Sequence, residues 1–190
     1  MKILLIHNDY QQSGGERAAV QAQRSLLRRY GHELIDYARN NDEIRDYSTI
    51  AKALFFPRTL YSRRTYHELT KLLKSERPDV AHVHNVFPLM SPAVYHALGD
   101  AHVPIVQTIH NFRFLCPNGL FFTHGQICER CIHGNTLHAA LLRCYRNSLP
   151  LSALYAATIA LHRQTGTFSR IDRFIAFTEF TKGKLIEGGL

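Results

Sequence analysis

Apolar residues fall along this chain in short runs, each closed by a cluster of polar ones. Residues 2–6, "KILLI", show no polar alternation, the pattern of a strand covered on both faces as in a parallel sheet. "SGGER" follows as a glycine-rich turn. From Glu16 to Tyr30, Ala19, Ala22, Leu26 and Tyr30 then recur at helical spacing, with Val20 and Leu27 widening the stripe and Gly31 placed to stop the helix. The unit repeats. "HELIDYA", "PDVAHVH", "VPIVQTIH" and "RFIAFT" are further strand candidates, and helices are expected near 48–55, 62–75, 91–99 and 150–168. Strands alternating with helices imply right-handed crossovers, hence an α/β fold with a Rossmann-like parallel sheet covered by helices on both faces. The closing "FTEFTKGKLIEGGL" reads as a short helix stopped by Gly-Gly.

Three of these strands end in the same dipeptide: His7-Asn8, His84-Asn85 and His110-Asn111. In a parallel sheet the carboxyl ends share one edge, where ligands of open α/β sheets bind, so these residues can converge there with Ser13, Gly14 and Gly15. The plainer reading is that each pair only caps or turns the chain, since Asn tolerates turns and His satisfies backbone groups. "SGGER" offers bare backbone N–H groups and a helix N-terminus to an anion such as a diphosphate. It matches neither the dinucleotide fingerprint nor a P-loop, which disfavours NAD-dependent and NTP-hydrolysing chemistry.

Composition narrows the classes further. At 190 residues with 45% hydrophobic content the chain is long enough to bury a real core, and disorder is not the leading explanation. Lys and Arg number 23 against 15 Asp and Glu, a net charge of +8 that favours anionic partners. "MKILLIHNDY" is too short in apolar residues for a signal-peptide core, and "LPLSALYAATIAL" is too short to cross a bilayer, so a cytoplasmic chain is expected, with peripheral contact at the inner membrane face as a further candidate. For such contact the candidate is "LFFPRTLYSRR", residues 54–64, whose apolar and arginine residues suit an anionic membrane; a core-packed loop with solvated arginines is the alternative, and nucleic acid is disfavoured.

All four cysteines, Cys116, Cys128, Cys131 and Cys144, fall in one stretch after the His110 strand. A reducing compartment argues against disulfides, leaving three readings open: a tetrahedral structural zinc stapling a long loop, unligated structural thiols, and redox work by the C-x-x-C pair.

The order of "SGGER", "YGHEL", "PDVAHVHN", "TIHNFRFLCPNG" with its "CERC", and "IDRFIAFTEFTKGKLIEGG" resembles the N-terminal half of GT-B fold glycosyltransferases of the family 4 type, over nearly the whole chain. The resemblance implies a single acceptor-side domain over residues 1–190, with the C-terminal nucleotide-sugar domain absent from them, so that the chain alone is not expected to be a competent transferase. It maps Gly14, Gly15 and Glu16 to the donor diphosphate and sugar. It maps His110, with Asn111, to the catalytic position near the donor sugar. Many members carry His-Asp there, which leaves Asn111 to orient His110 or to bind a sugar hydroxyl. His7, Asn8, His84 and Asn85 are then the acceptor-side candidates. The implied reaction moves a sugar from a nucleotide-sugar donor to a glycan or lipid-linked acceptor in cell-envelope or polysaccharide synthesis, and requires no catalytic cofactor. The competing class is a non-catalytic basic module that docks on anionic membrane or nucleic acid.

Overall fold

The computed structural model describes residues 1–9, 14–48 and 55–190. Strands β1 (Lys2–Asp9), β2 (Glu33–Asn40), β3 (Val80–Val83), β4 (Ile105–Ile109) and β7 (Arg173–Ala176) form one five-stranded sheet in the order β2-β1-β3-β4-β7. The β1/β2, β1/β3 and β3/β4 pairs are parallel. The residues in between are helical: α1 (Gly15–Arg29), α2 (Phe55–Leu60), α3 (Arg63–Glu76) and α4 (Ala93–Asp100). After β4 come a two-stranded hairpin of β5 (Phe122–Thr123) and β6 (Gln126–Ile127), then α5 (Leu137–Leu141), α6 (Leu149–Gln164) and finally α7 (Glu179–Glu187). The α/β sheet and crossover helices expected from the apolar runs are present. The helix expected near 48–55 falls almost entirely outside the described residues, as does Ser13.

The domain expected over 1–190 is built from two compact units. One comprises Met1–Thr108 with Arg170–Ile175, and the other Ile109–Ser169 with Ala176–Leu190. The first unit holds the sheet. Leu4, Leu5, Ile6, Ala81, Val83 and Ile105 are buried from their strands, and Val20, Leu69, Leu73 and Leu98 are buried from helices of the same unit. Each large apolar side chain so buried contributes about 1.5–3 kcal/mol.

Helix α1 corrects the sequence reading in one respect. It starts and stops as expected, with Gly31 left-handed at φ 78° just beyond its end, but Ala22, Leu26 and Tyr30 are exposed. The inward stripe instead runs through Glu16, Val20, Gln23 and Leu27, so a helix chosen by its apolar residues turns two polar ones inward.

The second unit is built on α6. Ser148 caps it, and Leu154, Tyr155 and Ile159 are buried among its own residues. Arg113 lies over the rings of Tyr145 and Tyr155, at 5.3 and 4.7 Å, and donates to the Pro117 carbonyl at 3.2 Å. Thr136 donates to the Ala156 carbonyl at 2.8 Å, tying the start of α5 to α6. Among the described residues no helix is long and apolar enough to cross a membrane.

Candidate active site

The strand order reverses between β1 and β3, and at such a switch point the carboxyl ends of the two strands frame the crevice of an open α/β sheet. Here the repeated dipeptides meet in register. The main-chain N–H of Asn8 donates to the Asn85 carbonyl at 2.8 Å, and the Asn85 carboxamide donates back to the Asn8 carbonyl at 3.0 Å. Asn85 also donates to the Phe87 carbonyl at 3.2 Å and accepts from the Phe87 N–H at 3.0 Å, shaping the turn after β3. Asn8 donates to the Asn41 side chain at 2.8 Å. Both asparagines are buried, and their amide groups close the strand ends against each other.

The histidines form a continuous row on the face beneath α1. The ring of His7 meets that of His84 edge-on at 5.9 Å, and His84 stacks on His82 at 4.7 Å. Residues two apart on a strand share a face, which is why "AHVH" carries two of the three. Helix α1 supplies the partners: Glu16 Oε1 lies 3.6 Å from His7 Nδ1, and the Gln23 amide donates to His82 Nδ1 at 3.0 Å. His82 Nε2–H then donates to the Thr108 hydroxyl at 2.7 Å, and His7 Nε2 to Asp9 Oδ1 at 3.0 Å. Burial pushes His82 down to about 4, and burial also holds His7 below the ordinary imidazole range although Asp9 pulls the other way. His82 is therefore neutral at pH 7, and the His7 ring sits between the carboxyl groups of Asp9 and Glu16. Gln107, fully buried, accepts from the Tyr95 hydroxyl at 2.7 Å and donates to the carbonyls of His84 and Thr108 at 2.5 and 2.8 Å, fixing the strand that carries the row.

His82, Asp9, Gln23, Gln107 and Thr108 escape a reading that looks only at strand ends. For His82, Gln107 and Thr108 the signal is polar residues inside otherwise apolar strands, of which "VAHVH" is the plainest case.

At the start of α1, Gly14 is the N-cap with extended backbone, φ −141° and ψ −178°, and no side chain caps the first turn. No described heavy atom lies within 4 Å of where a Cβ would sit on Gly14 or Gly15, and neither residue has left-handed backbone. Neither packing nor backbone conformation among the described residues therefore demands glycine here.

His110 and Asn111 belong to the second unit. The His110 ring lies 5.4 Å from that of Phe177, and Phe112 stacks on Phe121 at 4.6 Å with Phe180 edge-on at 6.1 Å. Asn111 Oδ1 accepts from the Arg113 N–H at 3.0 Å, and the Phe112 N–H reaches the Gly119 carbonyl at 2.9 Å, so "HNFRFLCPNG" closes on itself. Gly119, left-handed at φ 79°, would bring a Cβ within 3.3 Å of Asn111 Oδ1.

Three of the cysteines sit at turns, while the Cys128 N–H pairs back to the Phe121 carbonyl. The Gly119 N–H bonds to the Cys116 carbonyl, the Gly134 N–H to the Cys131 carbonyl, and the Cys144 N–H to the Ala139 carbonyl. All four are free thiols. Burial pushes Cys131 up to about 12, helped by the nearby Cys116, Cys128 and Cys144. Cys116, Cys128 and Cys144 thus each lie within electrostatic reach of Cys131, yet among the described residues no three His, Cys, Asp or Glu side chains are gathered closely enough to hold a metal as they stand.

Compared with known proteins, residues 13–190 match the sequence model for Glycosyltransferase Family 4. A search of curated proteins gave no match.

Proposed function

The chain belongs to Glycosyltransferase Family 4, and we propose that it is the acceptor-side, N-terminal domain of an enzyme that moves a hexosyl group from a nucleotide-sugar donor to an acceptor hydroxyl, in the synthesis of a cell-envelope glycan or polysaccharide. The observation that carries this reading is the Gly14-Gly15 opening of α1, where nothing described in the fold accounts for two glycines and the first-turn N–H groups have no side-chain cap. Such a terminus suits a donor diphosphate, and stabilising the charge that builds on the departing nucleoside diphosphate is the main task in this chemistry. Glu16, turned toward His7, keeps its carboxylate off that surface. His110 is assigned to the donor sugar, with Asn111 holding the turn that aims it. His7 and His84, anchored by Asn8 and Asn85, form the wall of the acceptor crevice. A nucleotide-sugar domain supplies the other half of the reaction.

The test is a sugar-transfer assay on the chain supplied with a nucleotide-sugar domain. His110→Ala is expected to cut turnover by at least about tenfold, toward the roughly 10²–10³ of losing one stabilising donor; unchanged turnover overturns the assignment.

To the same reading belongs a structural zinc on Cys116, Cys128, Cys131 and Cys144, bound by rotation of the four neighbouring thiols toward one another. Its support is that Cys116, Cys128 and Cys144 all act on Cys131 in one loop-rich unit, rather than a formed cage.

A further inference from the structure

The hairpin and α5 of the second unit leave their apolar side chains in water. Ile127 is 81% exposed, Leu141 68%, Leu120 66%, Leu137 63% and Phe122 50%. These residues do not scatter. Phe122 and Ile127 are directly paired across β5 and β6, so their side chains stand on one face of the hairpin. Thr123, one residue on, points the other way and bonds to Cys144. His124 at the hairpin tip meets the Leu142 carbonyl at 2.7 Å, which brings the tip to the end of α5. Leu137 and Leu141 are four apart on that helix and share its outer side, while Ala139 and Ala140 are buried opposite.

Charge runs beside this apolar ground. Leu120, Phe122, His124, Arg143 and Arg146 line one groove. Between residues 117 and 149 the only acidic side chain is Glu129, against Arg130, Arg143 and Arg146. Glu129 is occupied by Lys184 at 2.7 Å, so no free carboxylate there opposes an anion.

We infer that the hairpin, α5 and the Arg143/Arg146 groove form a docking surface for anionic phospholipid, with Phe122, Ile127, Leu137 and Leu141 entering the interface and the two arginines meeting headgroup phosphates. A nucleic acid would leave the leucines and Ile127 uncovered, whereas a lipid surface takes both chemistries at once. Guanidinium groups match phosphate oxygens in pairs, which suits arginine rather than lysine at the groove. Segment 54–64 shows less: Thr59 and Ser62 are buried, and of its described large apolar residues only Phe56 is exposed, at 38%.

The experiment is co-sedimentation of the chain with vesicles of phosphatidylcholine alone and of phosphatidylcholine mixed with phosphatidylglycerol, at low and raised salt. Binding to the mixed vesicles is expected, weakened about tenfold or more by Ile127→Ser with Leu141→Ser, and stripped of its salt dependence and lipid preference by Arg143→Ala with Arg146→Ala. Phe56→Ser should leave binding unchanged. These positions are exposed, and circular dichroism serves as the check that each variant is folded. Absence of binding to mixed vesicles, equal binding to both compositions, or loss of binding in Phe56→Ser alone overturns the inference. A dimer in sedimentation velocity that Ile127→Ser with Leu141→Ser disperses also overturns it, by giving the surface to a second copy. Vesicle binding needs no donor sugar, so this result is separable from that of the transfer assay.

Discussion

The two units solve the same problem by different means. In the first, β1 is paired with β2 and β3, partners some thirty and eighty residues away, and buried polar groups find one another across strands. In the second, regular structure is short and the chain bends sharply: Phe121, His124, Arg143, Arg146 and Asn147 are all left-handed without being glycine. Each such residue costs roughly 1–2 kcal/mol. The offset comes from a few long side chains. Arg113 is held over two tyrosine rings, Arg163 donates to the carbonyls of Ile132 and Gly188, and Lys184 joins Glu129. A ladder spreads its stability over many bonds, while a stapled loop concentrates it, and the two should fail differently.

The proposed zinc sharpens that contrast most. Protein purified without added metal should carry about one zinc per chain by elemental analysis, and stripping it should melt the second unit while the sheet unit persists, because structural zinc contributes folding free energy directly. Metal-free protein that unfolds no earlier than the untreated sample refutes the site.

Acid should act on the first unit instead. His82 is held neutral by burial, with its folded value about 4 against an ordinary 6.5. The unfolded chain therefore binds the proton first as pH falls, and stability that is complete above about 6.5 is lost progressively toward 4. At about 1.4 kcal/mol per unit the loss is on the order of 3 kcal/mol. Denaturant titrations at several pH values measure it, and a flat profile across that window would mean that the row is wetter than its geometry.

Gly188 tests the concentrated kind of stability. A Cβ there would overlap the Leu115 side chain, so Gly188→Val should cost about 1–3 kcal/mol in thermal unfolding. The smallest effect is expected at Gly15, where a Cβ meets nothing described. Gly15→Ala should leave stability unchanged or raise it by up to about 1 kcal/mol while weakening donor binding, measured by calorimetry with the nucleoside diphosphate.

Much of the first unit is legible in the sequence because strands buried on both faces write themselves as apolar runs, and "KILLI" or "VPIVQTIH" admits few other readings. The face of α1 is not legible in that way. Counting apolar residues favours Ala22, Leu26 and Tyr30, whereas Gln23 turns inward to bond His82 and Glu16 turns inward to face His7. The hairpin is harder still. Its strands are two residues each, and the only sign is His124-Gly125, both left-handed at φ 49° and 76° as a tight hairpin turn requires. The four cysteines announce a cluster by spacing, but spacing alone does not say how near the thiols come.

The clasp between Asn8 and Asn85 gives the recurring dipeptide two meanings. At Asn85 the amide nitrogen is in use, donating to two carbonyl oxygens; a carboxylate of the same shape would set negative oxygen against both and push β1 and β3 apart. At Asn111 it is the oxygen that closes the turn, so aspartate fits as well as asparagine. Identical letters thus differ in what they forbid: the second His-Asn excludes a negative charge that the third can carry without disturbing its turn.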